Sequence, residues 1–118
     1  MTPEIERMRV ALTEAVEDAS PQTNLRFKAM FGGAMAYANG RPFASLWKGG
    51  LALKLPPDLQ EELLRETDAK RLQYGPGEPF SRHYVVVPPR FLNEIETLAH
   101  WAGHSMVWVE KQTAKKKS

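Results

Sequence analysis

Between residues 25 and 55 apolar and polar side chains alternate in short runs separated by glycine. Leu25, Phe27, Ala29 and Phe31 alternate with Arg26, Lys28 and Met30, and Leu51, Leu53 and Leu55 alternate with Ala52 and Lys54. A period of two is that of strands with one buried face. Asn39-Gly40 and Lys48-Gly49-Gly50 stand between the runs. Asn-Gly accepts positive φ at both central positions of a type I′ turn, whose twist suits the flanking strands of a hairpin. Strands are therefore predicted over 25–31, 34–38, 41–47 and 51–55, with Gly32-Gly33 as a bend or bulge.

A different period flanks this sheet. Ile5, Met8, Leu12, Ala15, Val16 and Ala19 recur at spacings of three and four, the apolar stripe of an amphipathic helix over 3–19. Thr2 is its predicted N-cap, Pro3 its first residue, and Ser20-Pro21 its end. Pro56-Pro57 stops the fourth strand, and Asp58 with Glu61 predicts a capping-box start for a helix over 59–66, turning Leu59 and Leu63 to the sheet. Two more strands are predicted over 71–74 and 82–87, around a glycine- and proline-rich loop. Asn93 with Glu96 then predicts the cap of a helix running to about residue 111, with Ile95, Leu98, Ala99, Ala102, Met106 and Val109 as its stripe. Trp101 and Trp108 fall at one edge of that stripe, where they either complete the core or reach a partner. The order α-β(3-4)-α-β(2)-α implies an α+β domain, an antiparallel sheet with helices mainly on one face.

Length adds one bound and charge adds a pattern. A chain of 118 residues makes one domain, predicted over 1–110 with a disordered basic tail over 111–118. No apolar run reaches the roughly 20 residues of a membrane span, and the mixed charges of the first ten residues do not make a signal peptide. The absence of cysteine excludes disulfides and thiolate chemistry, so the expected location is cytoplasmic. Without Lys111, Lys115, Lys116 and Lys117 the formal +2 becomes 12 bases against 14 acids. Nucleic-acid binding is thus expected to be weak and non-specific at most. No acid occurs between Asp18 and Asp58, where Arg26, Lys28, Arg41, Lys48 and Lys54 all lie. The sheet is basic and the helices acidic.

Met30-Phe31-Gly32-Gly33, then Tyr37, Gly40, Phe43-Ala44, Gly50-Leu51 and Leu53-Lys54, with Pro79-Phe80, Tyr84, Val87-Pro88 and Leu98 through Trp101-Ala102 further on, follow one another in this order. This order resembles that of the TfoX/Sxy N-terminal domain family. One departure is that the third hairpin strand, usually Tyr-Leu-Lys followed by an acid, here runs from Leu51 to Leu55 and into prolines. The resemblance implies a two-layer α+β domain similar to secretion-chaperone folds that pair into dimers, and a role akin to that of the competence co-regulators in the family.

The chemistry is sparse. His100 and His104 have the i, i+4 spacing that lets two imidazoles reach one metal, but Trp101 replaces the glutamate of a zinc-protease motif and no third ligand is near in sequence. Both fall opposite the apolar stripe, so no metal is expected. Ser45, Ser81 and Ser105 lack a nucleophile-elbow context, and no cofactor motif occurs. Two readings follow. One is a non-enzymatic homodimeric regulatory domain with Trp101 and Trp108 at its interface and an unidentified protein partner. The alternative is a binder or enzyme for a small anionic ligand that uses Arg26, Lys28, Arg41 and Lys54, with loop 75–80 as a lid. Whether those four bases converge on one concave site discriminates the two.

Overall fold

Six antiparallel strands form one open sheet in a computed structural model of the chain, which describes residues 2–30 and 32–117, with side chains as far as Gln112. Helix α1, Pro3–Ala19, leads into a meander of β1, Leu25–Met30, β2, Gly33–Ala38, β3, Arg41–Trp47, and β4, Gly50–Lys54. Helix α2, Pro57–Leu64, precedes the short strands β5, Lys70–Arg71, and β6, Tyr84–Val86; a 3-10 turn, Pro89–Asn93, then leads into α3, Ile95–Lys117. The strands lie in the order β1-β2-β3-β4-β6-β5. The predicted α+β class and element order are those observed. Helix α3 continues to Lys117 through the stretch predicted as a disordered tail, with side chains described as far as Gln112, and Phe31 lies outside the described residues.

Local chemistry explains most boundaries. Thr2 Oγ1 accepts from the Ile5 N–H at 3.2 Å with Pro3 at the first helical position, the predicted cap of α1. Asn39 at φ 51° and Gly40 at φ 85° make the predicted two-residue turn. The Asn39 side chain and amide also bond both backbone groups of Asn24, each at 2.9 Å, which holds the start of β1 to the turn. Two predicted caps do not form. Helix α2 starts at Pro57, earlier than predicted, with Pro56 before it and no side-chain cap; Asp58 thus lies inside the first turn, where it serves as a charge at the helix start. Asn93 ends the 3-10 turn and accepts from Arg7 Nη2 at 2.9 Å, while the first bond of α3 runs from the Leu98 N–H to the Glu94 carbonyl at 2.9 Å.

Register sorts the side chains. Ala34 and Ala36 of β2, Ala44 and Leu46 of β3, Leu51 and Leu53 of β4, and Val85 of β6 share the face that meets the helices, and all are buried. The alanines of β2 leave room for the helical layer. Helix α3 lies on β3 and β4, while α1 packs chiefly on α3 and reaches the sheet less. Between Ala36 and Tyr37 the pairing with β3 slips by a residue, so Phe43 has no partner on β2, the pattern of a β-bulge. Phe43 is fully buried, and its carbonyl accepts from Ser105 Oγ of α3 at 3.0 Å. A buried hydroxyl is thereby satisfied and the helix is pinned to the bulge. At the other end, buried Gln60 of α2 donates to the Leu55 carbonyl at 2.7 Å and accepts from Arg71 of β5.

The two adjacent glycines at the start of β2 do separate jobs. Gly32 has φ 80° with open space where a side chain would go, whereas a Cβ on Gly33 would lie 2.1 Å from the Leu46 carbonyl oxygen. Gly32→Ala is expected to cost about 1–2 kcal/mol, the strain of a left-handed residue. Gly33→Ala is expected to cost about 3 kcal/mol or more, since backbone has to move. Urea unfolding of both variants checks the order, and equal losses would contradict the close approach.

Candidate functional site

The opposite parity of the same strands builds a second face. Arg26 pairs with Tyr37, Lys28 with Met35, Met35 with Ser45, Ser45 with Ala52, Ala52 with Val86, and Lys54 with Tyr84. These residues point away from the helices. The chain leaving β5 returns across half of this back face: the Leu72 N–H donates to the Tyr84 carbonyl at 3.0 Å and the Ser81 N–H to the Leu72 carbonyl at 2.8 Å. Leu72 is thus buried with Ala52 and Val86 in a small core of its own, flanked by Trp47 and Tyr84. Tyr74 closes this cover. Its hydroxyl lies 3.0 Å from Ser45 Oγ, and its ring stands edge-on to Trp47 at 5.4 Å.

The β1 side of the back face is open. Arg26, Lys28 and Met30 are exposed along β1, and beside Met30 lies a hollow of about 290 Å³ lined by Met30, Ala34, Ser45, Leu46, Trp47 and Tyr74. Met30 is 40% and Tyr74 50% exposed. The Lys48 ammonium sits 5.4 Å from the Trp47 ring centroid, a cation–π distance. Deeper in the face the Tyr84 hydroxyl donates to the Met35 sulfur at 3.7 Å. Burial, then the neighbouring Tyr74 and Tyr37, push the Tyr84 phenol up to about 12, so it stays neutral.

The four bases expected to share a ligand do not share a face. Arg26, Lys28 and Lys54 stand on the back face, Arg26 and Lys28 on β1 and Lys54 on β4 with β2 and β3 between them. Arg41, paired with Ala38 at the hairpin, instead lines an open groove of about 650 Å³ between the end of α1 and α3 with His100, His104 and Glu110. Its Nε is buried without a hydrogen-bond partner. Loop 75–80 is folded on itself, the Glu78 N–H donating to the Gly75 carbonyl at 3.1 Å and Gln73 Nε2 to the Glu78 carbonyl at 2.8 Å.

The other singled-out residues are occupied structurally. His100 and His104 are exposed and stack edge to face at 4.6 Å, and no cluster of three or more His, Asp or Glu among the described residues could hold a metal. Ser45 is engaged by Tyr74, Ser105 by the Phe43 carbonyl, and Ser81 Oγ accepts the Tyr84 N–H at 3.0 Å. Trp101 is 7% exposed and belongs to the monomer core. Trp108 is half-buried against that core, its ring 5.8 Å from His83. Of the two tryptophans expected at an interface, Trp101 has little area left to offer a partner.

The family model described as the TfoX N-terminal domain matches residues 17–107. The chain belongs to this family. No curated protein and no solved structure gives a match. In this TfoX N-terminal domain the matched stretch takes in all six strands but only the end of α1. Most signature residues are architectural. Gly33 admits the Leu46 carbonyl, Gly40 makes the hairpin turn, Phe43 fills the bulge, and Pro88 and Trp101 are buried. Met30, Tyr37 and Tyr84 instead belong to the back face. No helix among the described residues is long and apolar enough to cross a membrane.

The convergence of Met30, Trp47 and Tyr74 escaped the sequence reading. The available signal was that the second parity of the strands also carries apolar residues, Met30, Met35, Trp47, Tyr84 and Val86, which marks a second apolar face.

Two measurements check this geometry. Trp101→Ala should cost about 3–5 kcal/mol of stability as a core truncation and Trp108→Ala clearly less, read by denaturant unfolding; the reverse order would put Trp108 in the core instead. Between the ordinary tyrosine value of 10 and about 12 the folded chain keeps a proton on Tyr84 that the unfolded chain releases. Its contribution is therefore complete below pH 10 and lost as pH rises through 12, on the order of 2 kcal/mol in all. Stability should fall more between pH 9 and 11.5 in the wild type than in Tyr84→Phe, and parallel pH profiles would contradict the burial of that phenol.

Proposed function

We propose that this TfoX N-terminal domain is a non-enzymatic regulatory module of the cytoplasm that acts by binding another protein on the back face of its sheet. One observation carries the reading. The hollow between Met30, Trp47 and Tyr74 is apolar and open on the face that no helix covers. A pocket of this size suits anchoring side chains better than a drug-sized substrate. The chemistry around it argues against turnover. The Ser45 hydroxyl is taken by Tyr74, Tyr84 is held neutral, and the histidines lie on α3. A nucleophile needs a base within hydrogen-bond reach, and none is seen among the described residues of this face.

The homodimer expected from the tryptophan pair keeps less support, because Trp101 spends its area on its own core. An anionic ligand shared by Arg26, Lys28, Arg41 and Lys54 keeps none from geometry, because Arg41 lies on the other side of the sheet.

The test is genetic. Met30→Asp puts a charge at the mouth of the hollow, and Val10→Asp puts one on an exposed site of α1, where Val10 is 45% exposed. With both variants melting close to the wild type, the strain carrying Met30→Asp should reproduce the transcript changes of a gene deletion and the strain carrying Val10→Asp should not. A Met30→Asp strain indistinguishable from wild type, beside a deletion with a clear profile, would remove the back face from function.

A further inference from the structure

We infer that the partner presents an acidic segment with a large apolar side chain, the side chain entering the hollow and the carboxylates meeting the bases around it. The inference rests on the back face being the contact surface and adds the chemistry of what binds there. Along β1 the exposed residues of this face are Arg26, Lys28 and Met30. Successive residues on one face of a strand stand about 7 Å apart, so Lys28 is within a side chain's reach of the mouth of the hollow and Arg26 one step further. Lys48 rises over Trp47 on the other rim. No acid occurs on the four strands of the meander. The positive field is therefore uncompensated by the sheet itself, and such a field steers and selects a negative partner.

The hollow defines the anchor. Its walls are the Met30 thioether, the Trp47 and Tyr74 rings and the strand segments at Ala34 and Leu46, and its two hydroxyls, those of Ser45 and Tyr74, already bond each other. A polar group entering would be left unpaired, whereas about 290 Å³ holds a Phe, Trp or Leu side chain with space to spare.

Charge also sorts the other occupants. Two back faces set against each other would bring like bases together. Pairing the edge strand β1 with a second copy about Phe27 would set Arg26 opposite Lys28, a repulsive cross-strand pair. Single-stranded nucleic acid is negative too, but its platforms need free ring faces for bases to stack on. Here Lys48 lies over Trp47, Tyr74 meets that ring in a T-shaped contact, and Tyr84 is sunk into the face.

The experiment selects random linear 12-residue peptides displayed on phage against the full chain, with counter-selection on Met30→Asp. Enriched peptides are expected to carry two or more Asp or Glu around a Phe, Trp or Leu. A fluorescein-labelled winner should bind the wild type and Val10→Asp alike at 150 mM salt, and roughly tenfold or more weaker to Lys28→Glu and to Met30→Asp. A single-stranded 20-nucleotide DNA should not displace it. Three outcomes would overturn the inference. If the enriched peptides are neutral or basic and still need Met30, the acidic partner is wrong while the back face stands as the contact surface. If nothing survives counter-selection, or the DNA binds more tightly than any peptide, no acidic segment is the ligand. If the chain sediments as a dimer that Lys28→Glu dissolves, the face belongs to the acidic helices of a second copy.

Discussion

Everything in this domain depends on how α3 is fixed to the sheet. The bulge in β3 drops the fully buried Phe43 ring into the core and turns its carbonyl to the Ser105 hydroxyl at 3.0 Å. A bulge bends its strand and sharpens the local twist, and the ring and the hydrogen bond together set the position of α3 over β3 and β4. Helix α1 then packs on α3 more than on strands. With the helical layer committed to one side, the opposite side of the same strands has only the short return through Leu72 and Tyr74 to cover it. That return reaches Ser45 and Trp47 and stops there, which leaves the β1 side of the face to solvent.

The fold was legible because its signals are local. Period-two alternation over 25–55, Asn39-Gly40, the Thr2-Pro3 cap and the stripe of α3 each act within a few residues, and each stands where it was predicted. The caps at Asp58 and Asn93 failed for two different reasons, one local and one tertiary. Helix α2 starts at Pro57, one residue ahead of Asp58, so that side chain falls inside the first turn instead of at the cap, and Asn93 is taken by Arg7 from a distant helix. A helical wheel could place Trp101 and Trp108 at one edge of a stripe but could not show how far α1 and the sheet reach around it. That is a matter of packing distance, and it buries Trp101.

The candidate site was less legible, for a physical reason. Strand parity says which residues share a face but not what crosses that face. The bulge near Phe43 and the hairpin turn put Arg41 on the helical side, away from Arg26, Lys28 and Lys54. The hollow needs Tyr74 brought across to Trp47 by a segment that makes only two residues of strand, which no periodicity announces. Its apolar walls and basic rim together distinguish it from the groove around Arg41 and the two histidines, which is larger and of mixed polar and apolar lining.

The central claim is that the back face is covered by a protein in the cell. A photo-crosslinking amino acid in place of Lys28, exposed on that face, can be compared with one in place of Val107, which is 52% exposed on α3. The account predicts a discrete adduct from position 28 in living cells, absent from position 107 and abolished by Met30→Asp, whose crosslinked peptide is acidic by mass spectrometry. An adduct from position 107 alone, or one from position 28 that Met30→Asp leaves intact, would contradict it.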